Sequence, residues 1–594
     1  MMSQARTILL STGLAAFAGV AYAADNGATA LLPADSASVF RLSGSAGEFA
    51  KMSSATITGQ PFQSALRLEV SRKPARSQDV QIAAPVAAAV TAGDVLMVSF
   101  WLRSASPGEA TVDAGFRAGG TGRGPVPLDM PAVAGSVWKK VQFPFAPTRG
   151  YDKGEAEVFF TLGLRQQTLD IGGIELLNYG TSKRVADLPF TRLGYGGSEP
   201  GATWRKAAEE RIERIRKGNL AVLVKDKAGK PVRGAEVSVR MRKHAFLFGT
   251  AVNATALSSQ RLSAENLARY KQEIVQLFNF AVMENEMKWP QWSNESSRPA
   301  TLTAVDWLRE SGLQVRGHNL VWPSWRNTNV KAAVDAKDDP AALAKVITGH
   351  ITETAATFRG RLVDWDVINE TFTNHDFMDI LGRHAMVEWF KATRAGDPAV
   401  KLYINDFNII EGEDQAHQDD YAATIRYLID EGAPVDGIGL QSHFPARVTP
   451  MDDLMKRFDR FAAFGKELEI TEFDINTSDE ATQADYTRDF MTAAFSLPAV
   501  KAFLMWGFWE GAHWIPRGAM MRRDWSLKPN GAVYKDLVFK RWWTNADGRT
   551  GAQGTFATRG FLGDYEIEVK AGGKAKTVRV SLPREGAQAE CVLE

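Results

Sequence analysis

The chain has 594 residues, enough for about three or four domains at ~100–200 residues each. Hydrophobic residues make up 45% and charged residues 23%, ordinary globular values that exclude a disordered or fibrous chain. Lys and Arg total 70 against 69 Asp and Glu, so no overall basic field exists to hold a nucleic acid, and the single cysteine, Cys591, excludes an intramolecular disulfide and any multi-cysteine metal site.

The amino terminus reads as a targeting signal over residues 1–23. Arg6 precedes the apolar run Ile8–Ala18, and Ala21-Tyr22-Ala23 supplies a small-residue cleavage site. The run is shorter than the ~20 apolar residues that span a bilayer, and no later stretch qualifies. The expectation is an exported protein, periplasmic or secreted, with no membrane attachment once the signal is cleaved.

Residues 30–180 lack long helical periodicity. Short alternating runs recur at Ala65–Val70, Val95–Leu102, Val137–Phe145, Glu157–Leu164 and Leu169–Leu177, with Gly, Pro or Ser clusters between most of them. This predicts an all-β sandwich of jelly-roll type. Phe100, Trp101 and Trp138 are assigned to its core in preference to a ligand platform. Residues 181–218 read as a linker ending in a charged helix, Ala202–Lys217.

From residue 244 to 543 the pattern alternates strand and helix. Eight apolar strand candidates occur: His244–Val252, Phe278–Asn285, Val315–Val321, Leu362–Asn369, Lys401–Phe407, Val435–His443, Glu467–Asp474 and Val500–Phe508. Helical segments such as Ala264–Leu277, Ala341–Phe358 and Asp419–Glu431 separate nearly every pair. Eight such units in about 300 residues predict a (β/α)8 TIM barrel, with a doubly wound open sheet as the structural alternative. The flanking pieces 219–243 and 544–585 each carry strand-like runs and neither can bury a core alone. Together they are expected to form one small discontinuous β-sandwich, with Leu220, Val222 and Val224 facing Tyr565, Ile567 and Val569. The whole chain is thus expected to be multi-domain and monomeric.

Polar residues at the carboxyl ends of barrel strands point into an active site. Such residues close the second strand (Glu284, Asn285, Lys288), the third (His318, Trp322) and the fourth (Asn369, Glu370). They also close the sixth (Gln441, His443), the seventh (Glu472, Asp474) and the eighth (Trp506). Thirteen of the 16 Trp fall between Trp289 and Trp543, which suits flat, hydroxyl-rich ligands. Paired carboxylates with stacking aromatics suit glycoside hydrolysis. One carboxylic acid protonates the leaving oxygen, while a carboxylate attacks the anomeric carbon or activates water. Glu370 and Glu472 are the candidates. No H-E-x-x-H, P-loop or G-x-S-x-G is present, and no metal or other cofactor is expected.

The segments FGTAVN (248–253), ENEMKW (284–289), RGHNLVW (316–322), WDVINE (365–370), LYINDFN (402–408), GIGLQSHF (437–444), ITEFDI (470–475) and WGFW (506–509) resemble, in order, glycoside hydrolase family 10, the retaining endo-β-1,4-xylanases. The resemblance implies that Glu370 is the general acid/base and Glu472 the nucleophile. It implies that Asp474 orients His443 against Glu472, and that Asn369 binds the sugar 2-hydroxyl. Glu284, Asn285, Lys288, His318 and Gln441 would line the glycone subsites, with Trp322, Trp506 and Trp514 as stacking walls. The expected substrate is xylan or a related β-glycan such as mixed-linkage glucan. A glycan-binding protein without turnover is the alternative from another class.

Two segments depart from the family pattern. Pro323-Ser324-Trp325 stands where the family usually has a second His and a Gln or Ser, and the segment 510–516 resembles longer, multi-domain members. Those members carry an amino-terminal sandwich, and residues 30–180 resemble a carbohydrate-binding module.

Overall fold

The computed structural model describes residues 27–120, 126–258 and 261–594, so the expected leader lies outside the described residues. The chain divides into two compact units, residues 1–193 and 194–594.

The first unit contains two antiparallel sheets. One runs Ala50–Thr56, Ser64–Val70, Gln167–Asn178, Leu96–Ser104, Lys139–Phe145, and the short strand Thr29–Ala30 also pairs with Gln167–Asn178. The other runs Arg41–Leu42, Gln81–Pro85, Ala156–Thr161, Ala110–Ala118, Leu128–Ala134. Alternate residues of both sheets turn inward, as half-solvated strands require. Val98, Phe100, Leu102 and Ile171 meet Ile82, Val112, Val158 and Phe160, all buried, and Phe100 sits edge-on to Phe160 at 4.9 Å. The assignment of all three aromatics to the core needs correction. Phe100 is core, but Trp101 and Trp138 lie half-buried on the opposite face of their sheet, packed against Phe62. Neighbouring positions on a strand point to opposite faces, so Phe100 and Trp101 cannot share one.

The second unit opens with helix Thr203–Ile215, whose Trp204, Ala208, Ile212 and Ile215 form its buried stripe. The strands Lys217–Asp226 and Glu236–His244 then pair with the far end of the chain. Lys217–Asp226 lies between antiparallel Thr555–Phe561 and parallel Ala587–Leu593. Glu236–His244 lies between Asn545–Arg549 and Gly563–Ala571, which pairs in turn with Lys574–Leu582. Leu220, Val222, Val224, Val237, Val239, Tyr565, Ile567 and Val569 are all buried. The pairing extends to Leu593, past the expected end at residue 585, because Ala587–Leu593 supplies a further strand whose Cys591 is buried.

Between these pieces lies the barrel. Its strands are β1 (Leu247–Val252), β2 (Phe280–Met283), β3 (Gln314–Gly317), β4 (Asp364–Asn369), β5 (Lys401–Asp406), β6 (Gly437–Leu440), β7 (Glu467–Asn476) and β8 (Val500–Met505). Each is parallel to the next, and β8 pairs with β1, closing the cylinder. Small residues make room inside for large ones. A Cβ on Gly317 would stand 2.1 Å from the Trp365 ring, and one on Gly439 would stand 2.3 Å from Asn405 Oδ1. Gly439 therefore fixes where the Asn405 amide can lie.

The barrel interior also holds charge. Arg316, fully buried, donates to Asp364 at 2.8 Å and to Asp366 at 2.5 Å, with Glu469 at 3.6 Å. Burial, with Asp364 nearby, pushes the Glu469 carboxyl well up, so one buried cation is not asked to balance three full anions. This layer supports the residues above it, since Asp366 also reaches His318 at the barrel mouth.

Candidate active site

The polar residues at the carboxyl ends of the strands converge on two carboxylates. Glu370 follows directly on β4, with φ at +59° and its amide bonded to Asn405 O at 2.9 Å. Its Oε1 accepts from Asn369 Nδ2 and Gln441 Nε2, each at 3.1 Å. Its Oε2 accepts from Trp322 Nε1 at 3.1 Å and Asn374 Nδ2 at 3.3 Å. Burial is the largest influence on its proton. The Gln441 hydrogen bond opposes it, Asp406 and Glu472 repel a second charge, and the carboxyl is pushed up to about 7.

Glu472, on β7, is 4% exposed. Its Oε1 accepts from Asn405 Nδ2 at 2.8 Å and its Oε2 meets His443 Nε2 at 3.1 Å. Burial raises its pKa, but His318, His443 and Lys288 outweigh it and bring the carboxyl down to about 2. His443 stands opposite Asp474 in a parallel strand pair, with Nδ1 at 3.1 Å from Asp474 Oδ1. Burial disfavours a charged ring, yet Asp474 and Glu472 together hold His443 protonated well above the usual histidine range.

The remaining expected residues gather around this pair. His318 Nδ1 lies 2.8 Å from Asp366 and 3.9 Å from Glu472 Oε1. Lys288 Nζ donates to Asn285 at 3.0 Å and stands 5.1 Å from the centre of the Trp322 ring. Burial lowers the Lys288 pKa against the pull of Glu472 and Glu284, and burial raises that of Glu284. Trp506 is almost wholly buried, edge-on to His318 at 5.2 Å and to His443 at 6.1 Å. Trp514 is 53% exposed, while its Nε1 donates to Asp474 Oδ2 at 2.7 Å. It is an aromatic face open to solvent, anchored to the carboxylate beside His443.

Sequence reasoning missed Asn405 and Asn374. Asn405 closes β5 in Tyr403-Ile404-Asn405-Asp406, the same polar strand ending that identified the other site residues. Asn374 follows β4 by five residues in a loop and carried no such signal.

The family profile described as Glycosyl hydrolase family 10 matches residues 239–535, 297 of the 594. The chain belongs to glycoside hydrolase family 10. The chain is similar to an "Anti-sigma-I factor RsgI6" of Acetivibrio thermocellus. It is 34% identical over 385 residues, 63% of this chain and 48% of that protein. "Endo-1,4-beta-xylanase 1" of Arabidopsis thaliana is 27% identical over 381 residues, 63% of this chain and 38% of that protein. The chain thus spans less than half the length of these two relatives. A solved xylanase 10B from Thermotoga petrophila in complex with xylobiose aligns at TM-score 0.45 and 27% identity, over 50% of this chain and 95% of that one. Residues 239–535, matched by the family profile, contain all eight barrel strands, and the amino-terminal unit lies outside them.

Proposed function

We propose that this chain is a retaining endo-β-1,4-xylanase, with Glu370 as general acid/base and Glu472 as nucleophile. What carries the reading is the pairing of Glu370, directly after β4, with Glu472, on β7, bridged by Asn369 and Asn405. Burial pushes Glu370 up to about 7, while His318, His443 and Lys288 outweigh burial at Glu472 and bring it down to about 2. Near neutrality one keeps a proton to give while the other is an anion able to attack, the division that two-carboxylate glycoside hydrolysis needs, and retention is the general course of family 10.

In the first step Glu472 attacks the anomeric carbon as the glycosidic C–O bond breaks, and Glu370 delivers its proton to the departing oxygen. The product is a glycosyl ester on Glu472. Its formation removes the negative charge that helped hold the Glu370 proton, so Glu370, its proton given up, stays ionised and can act as general base. Water then attacks the same carbon, its proton passes to Glu370, and Glu472 leaves as carboxylate. On this reading Asn369 binds the sugar 2-hydroxyl beside the reacting carbon. Trp514 and Trp322 offer apolar faces to neighbouring sugar rings, and the region around Glu284, Asn285 and Lys288 supplies polar contacts. The leader over residues 1–23 would send the chain out of the cytoplasm to meet a polysaccharide.

Incubation with xylan, with the newly formed reducing ends followed by proton NMR, tests the reading. Retention requires the β-anomer first, and an initial α-anomer overturns it. A panel including mixed-linkage glucan separates xylan from other β-glycans. A second reading is glycan binding without turnover. It is favoured if oligosaccharide binds and no reducing ends appear.

A further inference from the structure

We propose that Asn374 is a positioning residue for the acid/base, coupling the loop after β3 to the protonation and orientation of Glu370. This rests on the reading of Glu370 as acid/base.

The Asn374 side chain is 7% exposed and bonded on both ends. Its Oδ1 accepts from Ser324 Oγ and Asn327 Nδ2, each at 2.8 Å. Its Nδ2 donates to Thr373 Oγ1 at 2.9 Å and to the Glu370 carbonyl at 3.1 Å, and approaches Glu370 Oε2 at 3.3 Å. A carbonyl and a carboxylate oxygen both demand a donor, so the amide has one orientation in which every group is satisfied. The Asn374 main-chain amide donates to the same Glu370 carbonyl at 3.1 Å. Glu370 occupies the left-handed region, sparsely populated by side-chain-bearing residues and retained only where neighbours hold it. Asn374 grips both the backbone that takes this conformation and the carboxyl it aims.

Both partners of the amide oxygen belong to one segment. Ser324 and Asn327 follow Trp322, whose indole donates to the same Oε2, and Thr328 Oγ1 donates back to Trp322 O at 2.6 Å. Residues 322–328 therefore act on Glu370 twice, directly through Trp322 and indirectly through Asn374. A donor on a carboxylate favours its ionised form, so Asn374 moderates the upward push of burial and keeps the acid strong enough to give up its proton.

The test is the pH profile of kcat/KM for Asn374→Ala and Asn374→Asp, on xylo-oligosaccharide and on an aryl xylobioside with an activated leaving group. The basic limb should rise by roughly half a unit in Asn374→Ala, and further in Asn374→Asp, where a second anion faces Glu370. Activity of Asn374→Ala on the oligosaccharide should fall about tenfold, with the aryl substrate largely spared in its first step, because only a poor leaving group needs the proton. An unmoved limb with equal losses on both substrates would overturn the proposal. If Asn374→Ala does not fold, Ser324→Ala removes one group that orients the amide and should move the limb in the same direction by less; an unmoved limb there overturns it too. Glu370→Ala with azide runs alongside. Absence of azide rescue removes the assignment of Glu370, and the proposal with it. Rescue with an unmoved Asn374 limb removes the proposal alone.

Discussion

Glu370 and Glu472 are joined by a two-residue chain of amides. Asn369 donates to Glu370 Oε1 at 3.1 Å and accepts from Asn405 Nδ2 at 3.1 Å, and the same Asn405 nitrogen donates to Glu472 Oε1 at 2.8 Å. The two carboxyls therefore share a common support, and groups held by mutually constrained hydrogen bonds need little rearrangement during reaction. Asn405 reaches this place because Gly439 leaves no side chain against it.

The pair divides its labour. Glu472→Gln should reduce turnover of every substrate by on the order of 10⁴-fold or more, since an amide is a poor nucleophile. Glu370→Ala should keep the first step with activated aryl leaving groups, and azide should accelerate its turnover by supplying an anion that needs no general base. A β-azide from the Glu472 variant, with the Glu370 variant inert, would reverse the roles.

Activity should follow a bell against pH. The reactive form has Glu472 ionised, which holds above about 2, and Glu370 protonated, which holds below about 7. Raising pH through 7 removes the proton that the leaving group needs, so kcat/KM should decline there, while the acidic limb lies far lower unless unfolding intervenes. A profile flat from pH 6 to 9 would contradict the assignment of Glu370.

His443 acts with His318 and Lys288 to keep Glu472 ionised, so His443→Ala should raise the Glu472 pKa and lift the acidic limb towards the ordinary carboxylate range. Asp474→Asn should act in the same direction by weakening the imidazolium, and it also alters the acceptor of the Trp514 indole. Both effects are read in kcat/KM against pH on one soluble substrate, with circular dichroism to confirm folding. An acidic limb that stays in place would show that His443 does not set the charge on Glu472.

Truncation after Trp543 removes five strands of the flanking sheets, including both neighbours of Lys217–Asp226. The exposed edges and the uncovered face of Leu220, Val222 and Val224 should lower the melting temperature by several degrees and promote association. Differential scanning calorimetry and light scattering check this. An unchanged melting temperature with a monomeric product would show that residues 544–594 add no stability to the rest.

Local pattern carried much of this protein. The alternation of apolar strands and amphipathic helices over 300 residues specifies a barrel, because parallel strands demand helical crossovers and both patterns are set by residues within about a dozen positions of each other. Carboxylates, histidines and tryptophans at strand ends could be read for the same reason, since a strand's carboxyl end is itself a local feature. The tertiary structure alone decided what has no local signature. Ala587–Leu593 finds a parallel partner more than 360 residues away, and Trp101 turns from the core that holds Phe100. Asn405 bridges to Glu472 across 67 residues, and Asn374 meets Ser324 across 50. The proton on Glu370 and the charge on Glu472 were decided there as well. They depend on burial and on the summed field of groups from several strands, which exist at one point in space only after the barrel closes.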